Sequence, residues 1–283
     1  MKIGQALNLR GETDSYERQE AVWLLEHVLN LNAIELKMRQ MQVLTHEQEQ
    51  VFLDGLMRLS KGEPLAYITG SQPFWSLDLT VTSDTLVPRP DTEILVETVL
   101  SLDLPFQTSM VDLGTGTGAI ALSLAKERPD WKVLATDIYF PTLEVAQGNA
   151  HKHSLNQVEF ICSAWFEAIP AQKFDLIVSN PPYIDADDAH MDNLGTEPRR
   201  ALVAEQQGLA DLQIIIDQAP SWLNSNGWLV LEHGYDQSEA VRQLLQKRGF
   251  VQIQTRKDYG GNDRISLGLI CPDSLSGDTF SPS

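Results

Sequence analysis

From about residue 91 onward, short apolar runs alternate with stretches of helical period, and few architectures accept that rhythm. The runs read as strands at 109–113, 132–137, 158–163, 174–180 and 227–233. Apolar residues recur every three to four positions near 92–101, 117–128, 141–153, 208–224 and 236–248, which predicts helices. Such alternation joins parallel strands through crossover helices, so the sheet is covered on both faces. Two further runs, 251–257 and 264–270, are separated only by "DYGGND". That spacing belongs to a hairpin and makes the last strand antiparallel. The prediction is a doubly wound α/β sheet of seven strands.

The residues ahead of this region follow a different period. In "SYERQEAVWLLEHVLN", Ala21, Leu24, Leu25, Val28 and Leu29 fall on one helical face. "THEQEQVFLDGLMRLSKGEP" opens with Thr45 and Gln48 in a capping-box relation and closes at Gly62, before Pro64. In "FWSLDLTVTSD", Trp75, Leu77, Leu79 and Val81 alternate with polar residues, as in a half-buried strand. The expected organisation is a small helical domain over 1–72, a hairpin linker over 73–90 and the α/β domain over 91–271. The segment 272–283, "PDSLSGDTFSPS", has the composition of a disordered tail.

Composition narrows the partners. With 39 acidic against 21 basic residues the chain carries −18, which argues against broad electrostatic binding to nucleic acid or an anionic membrane. Cys162 and Cys271 form no framework, which suits a reducing compartment. His151 and His153, two apart on a helix, face different ways, so no metal site is expected. "MKIGQALNLR" lacks the apolar stretch of a signal peptide, and no apolar run reaches the length of a membrane span. The expected location is the cytoplasm.

Two stretches carry chemistry. "VDLGTGTGAIALSLA" places Gly114, Gly116 and Gly118 where the first central strand turns into a helix. Without Cβ atoms they let the backbone approach a ligand and leave amides aimed at it. Asp137 ends the next strand, about 20 residues on, where a carboxylate takes the hydroxyls of an adenosine ribose. A nicotinamide dinucleotide and S-adenosylmethionine both fit this pattern. Asp112, just before the loop, leans towards the second, because it pairs with an amine and repels a pyrophosphate. Equally, Asp112 holds the turn.

The second stretch is "LIVSNPPYID", in which Asn180, Pro181, Pro182 and Tyr183 end an apolar strand. Two prolines make a stiff turn. In a doubly wound sheet the first and fourth strands are neighbours at the switch point, which brings this turn beside the glycine loop. The Asn180 oxygen and the Pro181 carbonyl then accept the two N–H bonds of a planar amide or aryl amine. They aim its nitrogen at a methyl donor, with Tyr183 packed on the planar group.

Asp112 to Gly118 followed by Asn180 to Tyr183 resembles the amino-methyltransferases that use S-adenosylmethionine. "GEPLAYITG", "LVPRPDTE", Glu197-Pro198, "LEHG" and "RKDYGGNDR" are similar to one branch, the bacterial peptide chain release factor glutamine N5-methyltransferases. The resemblance runs from the N-terminal helices to about residue 270. It implies a class I, Rossmann-like methyltransferase fold carrying a five-helix N-terminal domain. It implies S-adenosylmethionine held by Asp112, Gly114, Thr115, Gly116, Thr117, Gly118, Asp137, Trp165 and Asn180. It assigns the substrate glutamine to Asn180, Pro181, Pro182 and Tyr183, with Asn180, Pro181 and Tyr183 catalytic, and release factors as the protein partner. The family usually has an aspartate before the tryptophan of "CSAWFEAI"; here Ala164 stands there, so adenine recognition falls to backbone or another side chain.

Arg89, Asp91 and Glu93 in "PRPDTE" read as a helix start with a possible part in substrate docking. Glu232 and His233 read as strand-end structure, with His233 as a general base the alternative. Three other functions compete: glutamine methylation of a ribosomal protein, adenine N6 methylation of DNA, and nucleoside binding or dehydrogenation without methyl transfer. The acidic balance counts against DNA, and the intact Asn-Pro-Pro-Tyr counts against the last.

Overall fold

A computed structural model describes residues 1–185 and 197–271. The chain divides into two compact units, one built on Met1–Ser71 and the other on the residues from Gln72.

Among its described residues the first unit holds five helices: α1 (Ile3–Ala6), α2 (Tyr16–Leu29), α3 (Ala33–Met38), α4 (His46–Ser60) and α5 (Leu65–Thr69). Local polar chemistry fixes their starts. Ser15 accepts from the Arg18 amide, and capping boxes form between Asn32 and Glu35 and between Thr45 and Gln48. Each cap contributes about 1 kcal/mol. The apolar face read from α2 points inward, where Leu24 and Leu25 meet Ile3, Leu36, Phe52 and Leu59. Gly55 lets α4 close on α2, since a Cβ there would lie 2.7 Å from the Leu24 side chain.

The second unit begins with a hairpin, β1 (Ser71–Phe74) and β2 (Leu77–Thr80). Trp75, expected within the strand, sits in the tight turn at φ 54°. The hairpin was expected to be a linker, but its buried Phe74, Leu77 and Leu79 belong to the core of the second unit. The alternation that makes it a strand also gives it an apolar face, and that face needs cover. Then follow α6 (Glu93–Leu100), β3 (Ser109–Leu113), α7 (Ala119–Glu127), β4 (Lys132–Asp137), α8 (Phe140–Lys152), β5 (Glu159–Cys162) and β6 (Phe174–Ser179). Short elements β7 (Ile184–Asp185), β8 (Val203–Ala204) and α9 (Glu205–Gly208) precede α10 (Ala210–Trp222), β9 (Leu223–Glu232), α11 (Ser238–Lys247), β10 (Phe250–Lys257) and β11 (Asp263–Ile270).

Seven strands form one sheet in the order β10-β11-β9-β6-β3-β4-β5. β11 runs antiparallel to both neighbours, as the hairpin spacing predicts, while β9, β6, β3, β4 and β5 pair in parallel. The period of two sends alternate side chains to opposite faces. Met110, Leu176, Val178 and Val230 pack on one side with α6, α7 and the hairpin. Val111, Ile177, Leu229 and Leu231 pack on the other with α10 and α11. Burying each such side chain stabilises the fold by about 1.5–3 kcal/mol. Strand order reverses between β6 and β3, so ligands are expected at their carboxyl ends. The expected tail, 272–283, lies outside the described residues.

Candidate functional site

Leu113 and Ser179 face each other at the ends of β3 and β6, and the Ser179 hydroxyl donates to the Leu113 carbonyl at 2.7 Å. The two turns singled out in the sequence therefore leave the sheet side by side. After β3, Gly114, Gly116 and Gly118 adopt φ of 72°, 58° and 86°. A side chain in that left-handed region costs about 1–2 kcal/mol per residue, so three such positions within one loop call for glycine.

The loop does not leave all its amides aimed outward, contrary to the sequence expectation. Thr115 N–H donates to the Thr136 carbonyl at 2.8 Å, Gly118 N–H to the Thr115 carbonyl at 2.9 Å and Gly116 N–H to Asp137 Oδ2 at 3.1 Å. A tight turn next to β4 satisfies those donors internally. Asp137 also accepts from the Tyr139 amide at 3.0 Å, and burial raises its pKa. Asn149, fully buried on α8, donates to the carbonyls of Thr117 and Thr80 and so ties the loop to the hairpin.

Asp112 lies behind the loop, wholly buried. Its Oδ2 accepts from Thr115 Oγ1 at 2.6 Å and from the Ala121 amide at 3.2 Å. Burial, with Asp137 adding repulsion, pushes its carboxyl up to about 7. Of the two sequence readings, holding the turn is the one these contacts describe. Asp112 Oδ1 has no hydrogen-bond partner among the described residues.

A cavity of about 280 Å³ opens between the strand ends. Its wall includes Gly114, Thr115, Gly116, Thr117, Asp137, Trp165, Asn180 and Pro182. Gly118 and Asp112 lie outside that wall, as do Pro181 and Tyr183. Trp165 has φ 48°, which brings its ring over Gly114. Ala164 and Ser163 line the cavity beside it.

The Asn-Pro-Pro-Tyr turn is clamped from several sides. Asn180 Nδ2 donates to Thr92 Oγ1 at 3.3 Å, so its amide oxygen is the end left for a ligand. Pro181 is buried. Tyr183 turns away from the cavity: its hydroxyl donates to Glu232 Oε1 at 3.1 Å, and burial raises its pKa. Its ring, partly buried, packs against the core of the second face. The Tyr183 carbonyl accepts from Gln237 Nε2 at 2.9 Å. Gly208, at φ 77°, lies so close that a Cβ would stand 2.0 Å from that carbonyl oxygen.

Among the "PRPDTE" residues Pro88, Arg89 and Thr92 reach the cavity wall, while Asp91 and Glu93 do not. Asp91 faces Arg264 at 4.0 Å, and Glu93 accepts from the Trp75 amide at 2.7 Å. His233 is buried with both ring nitrogens engaged, by the Gly234 carbonyl and the Ser266 hydroxyl at 2.8 Å each, and desolvation lowers its pKa. That leaves it no nitrogen for general-base work. Sequence reasoning passed over Thr92, Gly208 and Arg200. Arg200 lines the cavity, lies 4.5 Å over the Tyr139 ring and partly offsets the burial that raises the pKa of Asp137. Glycine at 208 was the one local signal available. Among the described residues no group of three or more His, Cys, Asp or Glu is placed to hold a metal, and no helix is long and apolar enough to cross a membrane.

Residues 89–258 match the methyltransferase small domain and residues 5–70 the PrmC N-terminal domain. A release factor glutamine methyltransferase of Salmonella typhimurium is 46% identical over 273 residues, covering 95% of this chain and 98% of that relative. One from Pseudomonas aeruginosa is 49% identical over 229 residues, covering 80% and 83%. Among solved structures, a methyltransferase from Pyrococcus furiosus superposes with a TM-score of 0.55 at 19% identity, covering 77% of this chain and 98% of its own. The 16S rRNA N2 G1207 methyltransferase of T. thermophilus, solved with AdoMet and guanosine, gives 0.51 at 20% identity, covering 71% and 49%. These two show a shared fold.

Proposed function

The chain belongs to the family of release factor glutamine methyltransferases, and from that premise we propose that it methylates the side-chain amide nitrogen of a release-factor glutamine. The methyl donor is S-adenosylmethionine, and the target is the glutamine of the Gly-Gly-Gln motif. The observation that carries this is Asn180, whose nitrogen is tied to Thr92 and whose oxygen is thereby left as a fixed acceptor on the cavity wall.

The cavity residues fit that cofactor better than a dinucleotide. A pyrophosphate needs vacant amides at the glycine loop. Here the amides of Thr115, Gly116 and Gly118 already have partners, and a buried carboxyl lies behind them. A carboxylate has about four acceptor positions. Backbone amides fill only part of those on Asp137, which keeps capacity for a ribose diol. Trp165, Ser163 and Ala164 offer a ring face and small side chains for the adenine. When bound, S-adenosylmethionine supplies an electrophilic methyl on a sulfonium.

The protein's own share is positional. An amide nitrogen is a poor nucleophile because its lone pair is delocalised into the carbonyl. Asn180 Oδ1 and the Pro181 carbonyl accept the two glutamine N–H bonds, which orients the nitrogen and favours the positive charge that grows on it. As the N–C bond forms and the C–S bond breaks, the nitrogen becomes strongly acidic and loses one proton to water without needing a strong base. Arg89 at the cavity wall offers a charge for the substrate backbone.

Mass spectrometry of a purified release factor incubated with this protein and labelled S-adenosylmethionine tests the proposal. One methyl on the Gly-Gly-Gln glutamine is expected, and none after that glutamine is changed to glutamate, whose carboxylate has no protons for the two acceptors. Transfer to DNA adenine or to a ribosomal protein, with none to the release factor, would overturn it.

A further inference from the structure

Arg200 lines the cavity, and the proposed transfer gives it nothing to do. It sits on a single 3₁₀ turn, Arg199–Ala201, and two anchors hold its side chain against the wall. The guanidinium carbon lies 4.5 Å from the centre of the Tyr139 ring. Its Nη2 donates to the Asp84 carbonyl at 3.3 Å and stands 3.5 Å from Asp84 Oδ1. Both anchors are themselves fixed. The Tyr139 amide donates to Asp137 Oδ1 at 3.0 Å, and Thr142 Oγ1 donates to the same Asp84 carbonyl at 2.9 Å. The cation is therefore held on the Asp137 side of the cavity, where its charge partly offsets the burial that raises that carboxyl.

A guanidinium carries five N–H donors in a rigid plane and no acceptor. Among the described residues only Nη2 has a hydrogen-bond partner, so the Nε and Nη1 donors are left for a ligand. Three hydroxyls on the same wall are already committed. Thr115 donates to Asp112, Thr142 to the Asp84 carbonyl and Ser163 to the Trp165 carbonyl. Ala164, beside them, has no side-chain donor. Asp137, once ionised, only accepts. Adenosine brings ribose hydroxyls that donate, together with ring nitrogens and a ring oxygen that only accept. The carboxylate answers the first set, and the guanidinium answers the second.

We propose that Arg200 is a further cofactor-binding residue. It donates from Nε and Nη1 to the acceptor atoms of the adenosine part, while Asp137 takes the ribose hydroxyl protons. The proposal rests on the reading of this cavity as the S-adenosylmethionine site. Stacking on Tyr139 and the tether to Asp84 fix the plane of the fork before a ligand arrives, so little side-chain entropy is lost on binding. A lysine at the same place would supply the charge without that plane.

Calorimetric titration of the full chain with S-adenosylmethionine, and with adenosine in competition against it, tests this. In Arg200→Ala both ligands should bind roughly ten- to a hundred-fold more weakly, and by the same factor, because the lost donors face the part they share. Urea midpoints should stay near wild type, since the ion pair that is lost is partly exposed. Arg200→Lys should recover only part of the affinity, again equally for the two ligands, and it carries the comparison should Arg200→Ala fail to fold. Wild-type affinity for adenosine in Arg200→Ala, or full recovery in Arg200→Lys, would overturn the proposal. So would a loss confined to S-adenosylmethionine, which would move the contact to its amino-acid end, or no competition by adenosine in the wild type. Binding is read without substrate or turnover. If NADH binds more tightly than S-adenosylmethionine while adenosine still depends on Arg200, the cofactor reading fails and this contact stands.

Discussion

The turns after β3 and β6 leave the same end of the sheet, yet they are built on opposite principles. The glycine loop is fixed by backbone: three left-handed positions, with the amides of Thr115, Gly116 and Gly118 satisfied internally. What it offers a ligand is bare surface with one carboxylate, Asp137, at its rim. The Asn-Pro-Pro-Tyr turn is fixed by partners distant in sequence, namely Thr92, Gly208, Glu232 and Gln237. What it offers is a single oriented amide. On the proposed function, the first turn holds the cofactor, where shape matters most. On the same proposal the second serves catalysis, where the direction of one acceptor decides the outcome.

If the division is right, damage to each turn should separate cleanly in the kinetics. Asn180→Ala should produce the largest effect, a fall in turnover of about 10²- to 10³-fold, with cofactor affinity changed far less. Single-turnover rates alongside calorimetric titration measure the two. An Asn180→Ala enzyme that turns over normally would dissolve the distinction.

Gly208→Ala comes next. The left-handed φ and the 2.0 Å approach to the Tyr183 carbonyl leave no room for a methyl, so the turn must shift. A displacement of about 1 Å at a reacting group lowers the rate by roughly 10²-fold. Cofactor binding should survive, since the glycine loop is untouched. Loss of cofactor affinity with turnover intact would reverse the roles assigned to the two turns.

Asp137→Ala should do the converse. Losing hydrogen bonds to a charged acceptor removes about 1.5–3 kcal/mol, roughly ten- to a hundred-fold in cofactor Kd, while kcat at saturating cofactor stays near wild type. Should NADH bind the wild type more tightly than S-adenosylmethionine, the cofactor assignment itself would be wrong.

The smallest effect is on stability. The Asp112 carboxyl is raised to about 7 in the fold against an ordinary value of 3.8. Below that ordinary value both states are protonated. Between it and about 7 the folded state keeps a proton that the unfolded chain has released, so this group makes stability fall as pH rises across the window. Asp112→Asn removes that slope and keeps an acceptor for Thr115. Urea midpoints at pH 4.5 and pH 7.5 should show the variant gaining on the wild type at the higher pH. Parallel profiles would mean that the loop's buried carboxyl does not titrate in this range.

Much of the α/β unit could be read from the chain because its signals are local. Short apolar runs and helical stretches of period 3.6 placed the main elements from α6 to β11 within a few residues, though not β7, β8 or α9, and the "DYGGND" spacing gave the reversed strand. Thr45 with Gln48 marked the start of α4 for the same reason, since a capping box spans a single helical turn. Glycines at 114, 116 and 118 marked the loop after β3, and the structure adds the reason, a left-handed φ at each. Even the neighbouring placement of the two turns followed from strand order at the switch point.

Side-chain direction was beyond that reading. Asp112 and Asp137 look equivalent in the sequence, each an acid at a strand end, but only the fold puts one behind the loop and the other at the cavity rim. Tyr183 looked like a stacking surface until β9 brought Glu232 to its hydroxyl. Thr92 showed no signal at all, because its importance lies in touching Asn180, 88 positions away. Residue type and short-range spacing report what the backbone must do. Which end of an amide is tied down depends on a contact between residues distant in sequence, Asn180 and Thr92, and only the packed fold brings those together.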